Sequence, residues 1–162
     1  MKTIYFAGGC FWGVEAYFQK LKGVMDTKVG YANGNIENPK YEDLKSGIAT
    51  QAETVKIDYD EKIISLEKLL EHFLRFVDPY SIDKQGHDEG HQYRSGVYGN
   101  DIDLKITKEY FDRMLNDNYK IELLPLDNFY LAEEYHQNYL IKNPNGYCHV
   151  NLNLIRDDEK NN

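Results

Sequence analysis

The run Gly8-Gly9-Cys10-Phe11-Trp12-Gly13 sets a thiol and the chain's only tryptophan among three glycines. A cysteine attacks as its thiolate, so its surroundings decide whether it reacts. From Trp12 the apolar residues Val14, Phe18 and Leu21 recur at helical spacing, which puts Cys10 where a helix begins. Unpaired backbone N–H groups and the positive end of a helix dipole favour a thiolate there. The glycines permit a tight turn and let another molecule come close to the backbone. The same residues also fit a small, inert, buried cysteine beside two core aromatics.

The rest of the composition narrows the chemistry. Cys148 is the second of only two cysteines, too few for a disulfide framework and without metal-ligand spacing, so one or both could be reactive in a reducing compartment. A net charge of -8 and a pI near 5.1 argue against binding to nucleic acid or anionic membranes. No apolar run reaches membrane-spanning length, and the first residues hold too short an apolar segment for a secretory signal. The expected compartment is the cytoplasm.

The elements that must position Cys10 alternate along the chain. "TIYFAGG" reads as a first strand leading into the helix, "TKVGY" as a second, and "ETVKIDY" as a third, with Val55, Ile57 and Tyr59 in period 2. After Ser65, an N-cap candidate, Leu66, Leu69, Leu70, Phe73, Leu74 and Val77 define a helix that Asp78-Pro79 stops. A polar loop through "DKQGHDEGHQ" enters a fourth strand at "YRSGVY". Beyond it the pattern predicts a helix near 105–115, a strand at "IELLPL", a helix around 132–141 and a terminal strand at "HVNLNLI". The order up to Tyr98 is βαββαβ, which predicts an α+β fold: a two-layer sandwich with a ferredoxin-like core and C-terminal extensions. Residues 1–155 read as a single domain. The charged tail 156–162 lacks apolar residues and is expected to be disordered.

The motifs then make a specific resemblance. "GCFWG" from Gly9, "GYANG" from Gly30, "NPKY" from Asn38, "AE" at Ala52-Glu53, "QGHDEGHQYRS" from Gln85, "EEYHQNYL" from Glu133 and "NPNGYC" from Asn143 occur in one order along nearly the whole chain. Together they resemble the A-type peptide methionine sulfoxide reductases. Sulfoxide reduction calls for a soft nucleophile at sulfur, a proton for the departing oxygen and an apolar slot for the methyl group.

The resemblance implies a role for each matching residue. Cys10 would attack the sulfur of the S epimer and become a sulfenic acid as methionine leaves. Glu53 would donate the proton, which near neutral pH needs burial or a hydrogen bond to raise its pKa. Tyr41 and Tyr93 would hydrogen-bond the sulfoxide oxygen, Asp88 would help organise the pocket, and Phe11 and Trp12 would wall the methyl site. Cys148, after the turn-forming "NPNGY", would resolve the sulfenic acid as a disulfide that thioredoxin, or dithiothreitol in vitro, reduces. No bound cofactor or metal is implied. The alternating residues after Cys148 leave open a buried structural thiol at a strand start.

The chain departs from the family pattern at Gln51, where a histidine is common, which bears on how Glu53 is tuned. Two other classes stay open: a thiol enzyme that reduces peroxide, and a non-enzymatic redox sensor. Neither needs a proton donor and two phenols matched to a sulfoxide oxygen.

Overall fold

The computed structural model describes residues 1–161. It is a mixed α+β structure whose six-stranded sheet has the order β7-β6-β1-β3-β2-β8. Its strands are β1 (Lys2–Gly8), β2 (Val24–Ala32), β3 (Ala52–Tyr59), β6 (Ser95–Gly99), β7 (Glu122–Pro125) and β8 (Phe129–Leu131). β1 pairs antiparallel with β3 and β6, β2 pairs antiparallel with β3 and β8, and β6 pairs with β7 in parallel. A separate two-residue hairpin joins β4 (Lys84–Gln85) to β5 (Asp88–Glu89).

Period 2 divides the strands between two faces. Ile4, Phe6, Val55, Ile57 and Tyr59 join the main apolar cluster, whereas Tyr5, Ala7 and Ala52 meet Tyr98 on the opposite face. α1 (Phe11–Gln19) and α3 (Leu66–Phe76) cover the first face, where Phe6 stacks on Phe73 at 4.9 Å between ring centres. Ser65 caps α3 by accepting the Lys68 N–H, and Asn100 caps α4 (Asp101–Met114) by accepting that of Asp103.

Three expectations fail, each for a tertiary reason. The helix expected over 132–141 is replaced, after β8, by a 3-10 turn at Glu134–His136 and a single helical turn, α5 (Tyr139–Lys142). Gln137 uses its side-chain amide as an extra sheet residue, accepting from the Val29 N–H and donating to the Val29 carbonyl, and so holds the segment along the β2 edge. The segment "HVNLNLI", expected as a strand, pairs with no strand among the described residues and contains a 3-10 turn at Leu152–Leu154; Val150 and Ile155 are buried by packing into the main apolar cluster.

The third failure is the tail. Residues 156–161 are not disordered: Glu159 accepts two hydrogen bonds from Arg75 of α3, and backbone bonds join Lys22 to Glu159 and Asn161 to Lys20. Charge, which argued for a free tail, here supplies its attachment. Asn162, the last residue of that expectation, lies outside the described residues.

Candidate active site

Cys10 caps α1 at the end of β1 and is 8% exposed. The thiolate-favouring effect of the helix end does not prevail. Burial first, and then the nearby Glu53, push the Cys10 thiol well above the usual thiol range, against a smaller opposing pull from the Trp12 backbone N–H. At pH 7 Cys10 is therefore a protonated thiol.

Glu53 lies on the inward face of β3, two residues before Val55 in the same alternation, and is 1% exposed. Its Oε1 accepts the Phe11 backbone N–H at 3.2 Å, and its Oε2 accepts the Gln92 side-chain amide at 2.8 Å. These bonds favour the carboxylate, but burial outweighs them and, with a contribution from Asp88, raises its pKa to about 8. Glu53 therefore carries a proton at pH 7, so its repulsion of a Cys10 thiolate is then largely absent.

Three segments bring Tyr41, Tyr93 and Asp88 to this point. Tyr41 opens the short helix α2 (Tyr41–Lys45), which sequence periodicity does not reveal. Its backbone N–H donates to Glu133, which also accepts from the Tyr31 hydroxyl. Tyr93 ends the 3-10 turn His91–Tyr93, and the next residue, Arg94, clamps that turn by donating to the carbonyls of His91, Thr50 and Asn33. Burial raises the pKa of both phenols, so each remains a neutral donor at pH 7. Asp88 belongs to β5 and accepts the Tyr147 hydroxyl at 3.0 Å.

Trp12 stacks on Tyr139 with ring centres 3.7 Å apart and planes 6° from parallel, and its Nε1–H donates to His136 Nδ1 at 2.9 Å. Phe11 is buried, with its ring 5.2 Å from that of His136.

Cys10, Phe11, Trp12, Tyr41, Glu53, Asp88 and Tyr93 thus line one cavity of about 210 Å³, joined there by His136 and Tyr147. Cys148 does not line it. Cys148 instead lines a second cavity of about 380 Å³ with Ala16 and Leu152, and its thiol donates to the Val150 carbonyl at 3.2 Å. Gly13 explains how it packs there, because a Cβ on that glycine would lie 3.1 Å from Cys148 Sγ. A Cβ on Gly9, whose φ is +90°, would lie 2.9 Å from His149 Nε2. Room beside both glycines is thus filled by the chain's own C-terminal segment.

Sequence reasoning missed Gln92 and His136, although both lie inside quoted motifs, next to Tyr93 and within "EEYHQ". Their signal was a polar residue beside a presumed site residue, which nothing distinguishes before the fold is known. Gln51 donates its amide to the Ile36 carbonyl at 2.6 Å, whereas it is Gln92 that bonds Glu53. Among the described residues no cluster of three or more His, Cys, Asp or Glu could hold a metal ion.

A buried thiol, a carboxylic acid neutral at pH 7 and two neutral phenols facing one aromatic-walled cavity define a thiol-dependent oxidoreductase. The chain belongs to the peptide methionine sulfoxide reductase family, whose model matches residues 2–162, and it is an enzyme that reduces methionine sulfoxide. It is 55% identical over 161 residues to the peptide methionine sulfoxide reductase MsrA of Clostridium acetobutylicum, covering 96% of this chain and 99% of that one. The crystal structure of Mxr1 from Saccharomyces cerevisiae in reduced form superposes with a TM-score of 0.85 at 38% identity, covering 93% of this chain and 91% of that one. The same yeast protein in complex with Trx2 matches with a TM-score of 0.57 at 30% identity, covering 85% and 84%.

Proposed function

We propose that this enzyme reduces the S epimer of methionine sulfoxide, free or within proteins, through a Cys10 sulfenic acid that Cys148 resolves as a disulfide. The observation that carries this reading is the Glu53 carboxyl, protonated at neutral pH and facing the same cavity as the thiol. Tyr41 and Tyr93 donate to the sulfoxide oxygen and Glu53 protonates it. The Cys10 thiol passes its proton to the Glu53 carboxylate so formed and its sulfur bonds to the substrate sulfur; the protonated oxygen then moves to Cys10 as the S–O bond and the transient S–S bond break, which leaves a Cys10 sulfenic acid, a protonated Glu53 and free methionine. Phe11 and Trp12 hold the methyl group, and Asp88, joined to Tyr147, orders the rim of the pocket.

The position of Cys148 Sγ against Gly13 supports its role, because Gly13 lies one helical turn beyond Cys10 on the same face of α1. Thioredoxin is the proposed physiological reductant, supported by the Trx2 complex of the yeast relative, and dithiothreitol can replace it in vitro. No bound cofactor enters the cycle. The negative charge supports a protein that binds no nucleic acid, and no helix among the described residues is long and apolar enough to cross a membrane. These features support a cytoplasmic location.

We also read residues 1–155 as one reductase domain, supported by an apolar cluster that draws on residues from Ile4 to Ile155. The central order β6-β1-β3-β2, with α1 and α3 between strands, supports the ferredoxin-like description of its core. The test is turnover of separated epimers with dithiothreitol. Methionine should form from the S epimer and not from the R epimer; equal use of both, or of neither, would contradict the proposal.

A further inference from the structure

Resting on the proposed resolving role of Cys148, we propose that His149 acts as the general base of disulfide formation, taking the Cys148 proton as that sulfur attacks the Cys10 sulfenic acid. The tautomer follows from one hydrogen bond. His149 Nε2 lies 2.9 Å from the Gly8 carbonyl, which can only accept, so Nε2 carries the ring proton and Nδ1 presents a lone pair. That Nδ1 is buried and has no hydrogen-bond partner. It lies 3.2 Å from the position a Gly13 Cβ would occupy, and Cys148 Sγ lies 3.1 Å from the same position. An unused base and the resolving thiol therefore flank one spot on α1, a single turn from the nucleophile.

The need for a base follows from the thiol's surroundings. Burial raises the Cys148 pKa, so the thiol is protonated at neutral pH, and its present acceptor, the Val150 carbonyl, cannot take a proton away. Burial lowers the His149 pKa, with the Gly8 bond and Asp88 opposing it in part. Asp88 from the hairpin is the charged group that acts on the ring, and the Cys148 thiol lies near it beside Gly13. At pH 7 Nδ1 is free to accept.

The step balances without another reagent. The Cys148 proton passes to Nδ1, the sulfur attacks Cys10 sulfur, and the S–O bond breaks. The hydroxide leaves as water with a proton from Glu53, which His149 restores through solvent. Net, a sulfenic acid and a thiol give a disulfide and water, with the sulfenic sulfur as the group reduced.

The test is His149→Gln, whose side-chain amide can still donate to the Gly8 carbonyl but offers no base. One methionine per enzyme in a reductant-free burst reports that the variant folds and performs the first step. Disulfide formation, followed by quenching and mass spectrometry, should slow by roughly 100-fold or more at pH 7 and then climb about tenfold per pH unit. The parent rate should stay flat around neutrality and fall in acid as His149 gains its second proton. A variant that forms the disulfide at the parent rate, or is slowed equally at every pH, would overturn the proposal. If the variant gives no burst, the parent profile decides: a rate climbing with pH through neutrality would overturn it. A parent without a burst, or with a burst and no disulfide, instead refutes the roles of Cys10 or Cys148.

Discussion

Glu53 Oε1 accepts the backbone N–H of Phe11 at 3.2 Å, which ties the buried carboxyl to the residue that follows Cys10 in the chain. The bond fixes the β1–α1 turn against β3, so the Cys10 thiol and the Glu53 carboxyl are positioned by one contact. It also lowers the Glu53 pKa, yet burial keeps that carboxyl protonated at pH 7.

Glu53→Gln can keep the Phe11 contact through its carbonyl oxygen, keeps the Gln92 contact only if the Gln92 amide turns over to accept, and loses the acidic proton. Single-turnover methionine release should fall roughly 100- to 10,000-fold, the usual contribution of a positioned acid. A rate within a few-fold of the parent would show that another group protonates the oxygen.

The same carboxyl predicts a pH dependence of stability. Its folded pKa is raised from an ordinary value of 4.5 to about 8, so the stability it contributes is full below about 4.5 and is lost as pH rises toward 8. Thermal unfolding of parent and Glu53→Gln should show Tm values diverging in favour of the variant between those limits. Parallel Tm curves would contradict a protonated Glu53.

Cys10→Ser should abolish methionine release and leave the Tm nearly unchanged, because a hydroxyl fills almost the same space and is a poor nucleophile toward sulfur. Substantial activity in that variant would remove Cys10 from the reaction.

The docked tail makes its own prediction. Arg75 makes two bonds to the largely buried Glu159, which holds the Glu159 carboxyl far below the usual carboxylate range. Glu159→Ala should cost about 1–3 kcal/mol, less than a fully buried pair would because Arg75 keeps some contact with water. Since that pKa is lowered, the loss should appear near neutral pH and vanish as pH falls well below 4.5. A Tm equal to the parent's at pH 7 would mean the tail contributes nothing to the fold.

What the sequence disclosed follows the range of the interactions involved. Phe6, Val55 and the α3 leucines obey periodicities set by local geometry, so the first strands and helices could be read directly. Motif positions brought Cys10, Glu53, Tyr41, Tyr93 and Asp88 to one cavity. Gln137, Glu159 and His149 act through partners more than 80 residues away in the chain, and periodicity carries no trace of such bonds. The helix expected over 132–141 and the free tail failed there. The thiolate inference for Cys10 failed similarly, because a helix end is visible in sequence and burial beside Glu53 is not.

The central claim, that Cys10 takes the oxygen and Cys148 clears it, is tested most directly by one reductant-free turnover of parent and Cys148→Ser on the S epimer, analysed by mass spectrometry. Both proteins should release about one methionine per enzyme. The parent should then hold a Cys10–Cys148 disulfide, and the variant a Cys10 sulfenic acid that dithiothreitol reduces and thioredoxin does not. A persistent sulfenic acid in the parent, or a variant that thioredoxin recycles at the parent rate, would contradict the account.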